Sequence, residues 1–450
     1  MTTDVRITPL DAWIAGKMGT AGGRVTREQI NCYQLIRLNE TISRARSLSP
    51  FYRKHLAGMG LNGLTRLEQI AEYPLTTAAD VTAHALQMVC VSQSQINRVV
   101  TLNTSGTSGN PKRIYFSPFD QELTIDFFQC GMSTLVGPGD KALILLPGER
   151  PGSVGDLLLQ ALLRLGVLPT YYGLVENVPK AVLRMCQVKA NCLVGVPVQV
   201  LAMARYWEKW GGSEWAPRCA LLSTDHIPAA ITRELKRIWN CEVYEHYGMT
   251  EMGLGGGLEC AAHEGCHMRE ADLYFEIVDP VSAQPLPDGE YGEVVFTTLT
   301  RQGMPLIRYR TGDISRFIVN QCQCGSILRR LERVRSRKDG TVCFGEGWEF
   351  TIADLDEVLF ALPEVTNFTA EVNYGEITKL KLVIVVLADG QPPDQPFALS
   401  ALRQLPAIQA AEQAGKLMVE VEFVRNLTLS PAKRSIRVTG LAREGVGSAV

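Results

Sequence analysis

The pattern of apolar and polar positions changes character along the chain. Between residues 28 and 60, Ile30, Tyr33, Leu35, Ile36, Leu38 and Ile42 recur near a 3.6-residue period, which predicts helix. Between residues 141 and 245, short apolar runs alternate with amphipathic segments. Residues 142–146, 167–171, 192–196, 220–223 and 242–244 read as strands, and 156–165, 178–187, 198–207 and 228–239 as helices. That alternation predicts βαβ units and a largely parallel sheet. After Ala271 the texture turns to strands and turns: 273–278, then Pro287-Asp288-Gly289, then 292–298. From Asp339 onward a helix (352–362), strands (368–372 and 379–387), a polar Gly/Pro stretch, a helix (399–414) and a strand (418–423) compose a small α+β unit of about 110 residues. No internal repeat or low-complexity tract interrupts this order. The expected fold class is α/β.

Composition narrows the class. At 450 residues the chain exceeds what one hydrophobic core usually serves, so two or more domains are expected. Hydrophobic residues at 46% and charged ones at 20% fit an ordinary soluble globular protein. A formal charge of -2 carries no polyanion signature, which argues against nucleic acid or a membrane surface as partner. The longest apolar runs, 142–146 and 382–387, fall far short of the roughly 20 residues of a membrane span. The start, Met-Thr-Thr-Asp-Val-Arg, lacks the apolar run of a signal peptide, so a cytoplasmic protein is the expectation. The 12 cysteines then read as free thiols or metal ligands rather than a disulfide framework. Cys130, Cys186, Cys192 and Cys219 lie singly in apolar contexts and read as buried, inert thiols.

The strongest local signal is Thr104-Ser105-Gly106-Thr107-Ser108-Gly109-Asn110-Pro111-Lys112. Glycines and small hydroxyl residues let a backbone approach an anion and turn N–H groups and hydroxyls toward it. Lys112 adds a point charge suited to phosphate. A Walker A loop would open a helix with Gly-Lys-Ser/Thr. Here Pro111 biases Asn110 away from helix, and residues 113–116 continue as a strand. The segment therefore predicts a loop between two strands that folds over a polyphosphate.

Residues 104–112 resemble the phosphate loop of the adenylate-forming (AMP-binding) enzymes, which include acyl-CoA synthetases, luciferases and adenylation domains. Three further segments follow in the order that family has. Tyr247-Gly248-Met249-Thr250-Glu251 resembles the second nucleotide motif, in which the tyrosine stacks on adenine and the glutamate reaches Mg²⁺. Arg310-Thr311-Gly312-Asp313 resembles the segment whose aspartate holds the ribose hydroxyls, and Ser336-Arg337-Lys338-Asp339-Gly340 the hinge between a large and a small domain. Pro50-Phe51-Tyr52-Arg53, Glu276-Ile277-Val278-Asp279-Pro280 and Pro305-Leu306-Ile307-Arg308-Tyr309-Arg310 are similar to the phenylacetate-CoA ligase group. The resemblance covers nearly the whole chain. It implies a large N-terminal AMP-binding domain, residues 1–337, with parallel sheets, helices and a β-rich part, and a small mobile α+β C-terminal lid, residues 338–450.

The activity implied is adenylation of a small carboxylic acid, aryl or arylacetic by family weight, with transfer of the acyl group to CoA and release of AMP and pyrophosphate. ATP, Mg²⁺ and CoA are the expected cofactors and co-substrate, and a homodimer is the candidate assembly. Thr104, Ser105, Gly106, Thr107, Ser108, Gly109 and Lys112 would hold the phosphates. Tyr247, Gly248, Met249, Thr250 and Asp313 would hold the nucleoside, Glu251 the magnesium, and Arg337 would act at the hinge. The rival readings are an adenylating enzyme with a different acceptor and a non-catalytic nucleotide-binding homologue.

Two regions leave alternatives. The family's catalytic lysine lies in a Gly-Lys-x-x-Arg type motif near the C-terminus; the stretch here is Ser430-Pro431-Ala432-Lys433-Arg434-Ser435-Ile436-Arg437. Anchoring on Arg437 puts Arg434 at the lysine position, and a shift of one restores Lys433, which is the working assignment. An arginine fork does not replace a compact ammonium. The second region is the cluster of Cys260, His263, Cys266 and His267 with Cys322-Gln323-Cys324-Gly325. Two ligand pairs from separate turns are how a closed tetrahedral zinc site is built. Similarity to ligases with Cys-x-Cys-Gly in this region points to Cys260, His267, Cys322 and Cys324, with His263 and Cys266 as competing ligands. Tyr244, Glu245, His246, the Ser223-Thr224-Asp225-His226 turn and residues 148–155 are candidates for the acyl-pocket wall.

Overall fold

A computed structural model of the chain describes residues 6–20, 25–102, 111–212, 215–337, 340–345, 347–387, 394–425 and 434–440. The helical pattern near the start forms two helices, Arg27–Leu48 and Pro50–His55, not one. The first begins at a capping box in which Thr26 and Gln29 satisfy each other's backbone N–H groups. It ends at Ser49, whose hydroxyl accepts from the Tyr52 N–H and so caps the second, with Pro50 in its first turn.

By contacts the chain divides into two units. One comprises Met1–Pro138, Gly148–Gly166 and Tyr244–Arg335; the other Gly139–Pro147, Val167–Val243 and Ser336–Val450. In the first, Arg98–Leu102 and Lys112–Phe116 form an antiparallel pair in which Leu102 faces Lys112. An antiparallel sheet joins Leu273–Val278, Gly292–Thr298 and Tyr309–Ser315. Its core packs Leu38, Ile42 and Tyr52 with Ile114, Phe275, Phe296 and Tyr309. The helix Pro118–Met132 is capped by Ser117 and Asp120.

In the second unit, the predicted βαβ alternation is present. Leu168–Tyr171, Lys141–Leu145, Cys192–Gly195 and Cys219–Leu222 lie side by side in that order, all parallel. The last two strands are buried throughout, as strands covered on both faces should be. Helices Val178–Val188 and Pro197–Lys209 connect successive strands, and Ala229–Trp239 follows the last of them. The C-terminal part carries helix Ile352–Leu359 and a sheet ordered Leu417–Val424, Thr378–Val386, Val365–Asn373 and Ile436–Thr439. The helix expected over 399–414 is two, Gln395–Leu402 and Pro406–Gln413, because Pro406 opens a new first turn.

Within this unit the C-terminal part shares a core with the parallel layer: Ile231, Leu235 and Trp239 cluster with Leu355, Leu359 and Phe360. The Glu357 carboxylate accepts from the N–H groups of Ala229 and Ala230, where the Ala229–Trp239 helix lacks a capping side chain of its own. Arg205 donates to the Phe360 carbonyl at 2.7 Å and to that of Val365. Among the described residues no helix is long and apolar enough to cross a membrane.

Candidate active site and cysteine–histidine centre

Strand Tyr309–Ser315 alternates buried and half-buried positions, so Tyr309, Thr311 and Asp313 share one face. Its entry is fixed by Arg308, which is fully buried and left-handed at φ 48°. The Arg308 guanidinium ion-pairs with Glu276 at 2.9 Å and donates to the carbonyls of Ala71, Tyr73 and Ala283. A charge this deep is tolerated because every arm of the fork has a partner.

Glu251 sits in a single tight turn, Thr250–Met252, closed by Gly253 in the left-handed region. The chain reaches it through Gly248, where a side chain would meet the Leu254 carbonyl oxygen at 2.6 Å, so only glycine fits. The buried Glu251 carboxylate ion-pairs with the Lys112 ammonium and accepts the Tyr309 hydroxyl at 3.2 Å. Lys112 also donates to the Tyr309 oxygen at 3.2 Å. Two turns of the alternation away, Asp313 accepts the Tyr247 hydroxyl at 3.1 Å. One strand thus aligns two acidic groups: Glu251 through Tyr309, and Asp313 through Tyr247.

The residues just before the second motif, expected at the acyl-pocket wall, each have partners in the protein. Tyr244 packs on the His263 ring with centroids 4.8 Å apart, and Glu245 ion-pairs with Arg333. His246 packs against Phe127 and Phe128, and burial, with Arg269 nearby, pulls its imidazole down to about 4. It is therefore neutral at physiological pH.

Cys260, His267, Cys322 and Cys324 are all buried, and their ligand atoms lie within 4.8 Å of one another. The Cys260 and Cys322 sulfurs are 3.6 Å apart, and Cys324 Sγ is 3.4 Å from His267 Nε2. Ligands at ordinary zinc distances and the tetrahedral angle stand about 3.8 Å apart for two sulfurs and about 3.5 Å for sulfur and nitrogen. The residues present fit such an ion. The Cys260 thiol, and then His267, hold the Cys324 thiol down to about 3, favouring the thiolate a metal needs. The two competing residues are engaged elsewhere: His263 with Glu259 at 3.3 Å, and Cys266 with the Glu245 carbonyl at 3.7 Å.

Residues 67–300 match the profile of the AMP-binding enzymes. The chain belongs to the AMP-binding enzyme family. It is 28% identical over 351 residues to the phenylacetate-coenzyme A ligase of Thermus thermophilus, covering 75% of this chain and 77% of that one. It is 24% identical over 437 residues to the phenylacetate-coenzyme A ligase of Aromatoleum evansii, with 92% and 95% covered. Among solved structures, 2-hydroxyisobutyryl-CoA ligase in the postadenylation state superposes with a TM-score of 0.75 at 19% identity, over 92% of this chain and 90% of that one. That likeness shows a shared fold.

In this AMP-binding enzyme, Thr104, Ser105, Gly106, Thr107, Ser108, Gly109, Asp339 and Lys433 lie outside the described residues. Arg337 lies in the short strand Ser336–Arg337. Arg434, the alternative to Lys433, is committed. Its guanidinium donates to Asp225 at 3.2 Å and to Asp356 at 2.6 Å, and lies over the Phe360 and Phe368 rings. Burial drives Asp356 up to about 7 against the pull of Arg434. The Ser223-Thr224-Asp225-His226 turn, expected at the acyl pocket, thus uses Asp225 to anchor Arg434.

Sequence reasoning missed Tyr309 as a site residue. The signal was available: Tyr309 and Asp313 are four apart in an alternating strand, so both face the same side.

Proposed function

We propose that this protein is an ATP-dependent acid-CoA ligase acting on an aryl or arylacetic acid. The observation that carries the reading is the convergence of Lys112, Glu251 and Tyr309, with Asp313 held by Tyr247, in a chain of the AMP-binding family. The relatives' names supply the acid class and the CoA acceptor.

In the first half-reaction a carboxylate oxygen bonds to the α-phosphorus of ATP and the bond to the β-phosphate breaks, releasing pyrophosphate. Catalysis of such a transfer is mainly positioning and charge stabilisation. Asp313, fixed by the Tyr247 hydroxyl, orients the ribose, and the hydroxyls and glycines of residues 104–109 hold the leaving phosphates. Glu251 is a hard oxygen donor, paired with Lys112 in the free protein, and would hold Mg²⁺. When bound, Mg²⁺ neutralises phosphate charge. Lys112 then exchanges the carboxylate for a phosphate oxygen. In the second half-reaction the CoA sulfur attacks the acyl carbonyl and AMP leaves. The segment 338–450 acts as the lid, with Arg337 at the hinge, presenting a different face to each half-reaction. Cys260, His267, Cys322 and Cys324 hold a structural zinc.

Lys433 supplies the adenylation lysine, since Arg434 is bound to Asp225 and Asp356. Lys433→Ala is expected to lose adenylation by roughly 10²-fold or more while converting preformed acyl-adenylate and CoA at the wild-type rate. Arg434→Ala is expected instead to lower thermal stability, leaving a buried aspartate unpaired. Full adenylation by the Lys433 variant removes the assignment. Pyrophosphate release with a panel of carboxylic acids, with and without CoA, tests the overall reading: release without CoA consumption favours another acceptor.

A further inference from the structure

Five arginines in the described chain are buried: Arg205, Arg269, Arg301, Arg308 and Arg330. Four are tied down. Arg205 reaches two carbonyls, Arg308 takes Glu276 and three carbonyls, and Arg330 takes Glu264 and the Asn320 carbonyl. Arg269 takes Asp272 with the carbonyls of Leu123 and Gly255. Arg301 differs. It is 7% exposed, its Nη1 is buried without a partner, and it makes no hydrogen bond or ion pair among the described residues. The guanidinium lies over the Phe116 ring, its carbon 5.0 Å from the ring centroid.

Nothing about the backbone forces this. Thr300 is held by its hydroxyl on Asp272 at 2.8 Å, and the N–H groups of Gln302 and Gly303 donate to the Asp120 carboxylate at 2.7 and 2.9 Å. The Gly303 carbonyl accepts from the Cys90 N–H at 2.8 Å. Asp120, whose charge acts on the guanidinium, spends its oxygens on these backbone donors. The guanidinium is therefore presented from a rigid segment. It lies over Gly253, two residues after Glu251: a side chain there would meet Arg301 Nη2 at 3.1 Å. Phe116, whose ring the guanidinium lies over, ends the strand that Lys112 begins. Burial pulls this arginine down to about 10, and the charges of Asp120 and Glu251 offset that only in part. A strained charge of this kind, beside the reacting groups, is how a binding site is preorganised.

We propose that Arg301 is an anion receptor of the active site, ion-pairing with an oxyanion of bound substrate. That oxyanion is either the carboxylate of the acid or a phosphoryl oxygen of ATP. The planar fork of arginine suits both. The inference rests on the reading of the site as an ATP-dependent acid activator.

The test compares full-length wild type, Arg301→Met and Arg301→Lys by thermal unfolding and by calorimetric titration. The probes are MgATP, inorganic pyrophosphate and phenylacetate. A receptor left unpaired in the free protein costs stability, so Arg301→Met is expected to melt at or above the wild-type temperature. The same variant is expected to bind one probe class at least about 10-fold more weakly. Arg301→Lys should fall between. Loss confined to phenylacetate assigns the carboxylate; loss with MgATP and pyrophosphate assigns the phosphoryl oxygen. Wild-type affinity for all three probes in both variants overturns the proposal, as does a lowered melting temperature with binding intact. Wild-type protein that binds none of the probes overturns the functional reading and this inference together.

Discussion

Glu251→Gln is expected to slow acid-dependent pyrophosphate release by on the order of 10³-fold. The substitution keeps the shape and the hydrogen-bonding capacity toward Tyr309, and removes only the charge. That charge has two tasks. In the free protein it neutralises Lys112 in a buried setting, where an uncompensated ammonium is costly. In the proposed working complex it would hold Mg²⁺, for which a neutral amide is a poor ligand. The rate loss should therefore come with a loss of response to Mg²⁺ concentration, while the circular dichroism spectrum stays that of the wild type. Tyr309→Phe, which deletes the hydroxyl bridging Lys112 and Glu251 but leaves both charges, should cost only about tenfold. A Glu251→Gln enzyme working at more than a tenth of the wild-type rate would contradict the assignment.

The second large effect is on stability. Protein purified without added zinc is expected to carry about one equivalent per chain, and Cys324→Ala to carry none. The cluster joins two distant stretches of chain: Cys260 follows the short strand Gly257–Glu259 and His267 lies in the next, Cys266–Met268, while Cys322 and Cys324 come about 55 residues later. Binding an ion there couples directly to folding of this part of the chain. Loss of even about 3 kcal/mol would lower the melting temperature by roughly 3 °C if the 450 residues unfold together. Because the site is closed, with four protein ligands, the variant should keep its turnover number below its melting temperature. Less than half an equivalent of metal in the wild type, or an unchanged melting temperature in Cys324→Ala, sinks the zinc assignment.

The parallel strands were legible because a strand covered on both faces is a short apolar run bounded by turns, and 192–196 and 220–223 are such runs. The helix breaks were not. The 3.6-residue period continues through Ser49 and Pro50, and through Leu405 and Pro406, although a cap and a proline at those points end one helix and start another. The metal-ligand choice was open in sequence because Cys266 and His267 are adjacent. The structure separates them by strand geometry: in Cys266–Met268, neighbouring side chains point to opposite faces, so His267 meets Cys324 while Cys266 turns to the Glu245 carbonyl. Lys433 against Arg434 was a spacing ambiguity of one residue. What bears on it is the pairing of Arg434 with Asp225, 209 positions away. Arg301 had no signal at all. Being unpaired is a property of packing, and the contrast with Arg308, seven residues on, exists only once the Glu276 strand is in place.

The most direct measurement is a single-turnover reaction followed by mass spectrometry, with enzyme in excess over ATP, Mg²⁺ and phenylacetate or another aryl acid. Without CoA, an acyl-adenylate is expected to accumulate on the enzyme with one pyrophosphate released for each. Addition of CoA should then convert it to the acyl-CoA thioester with release of AMP. Absence of any acyl-adenylate across the acid panel, with the wild-type protein folded, would contradict the central claim.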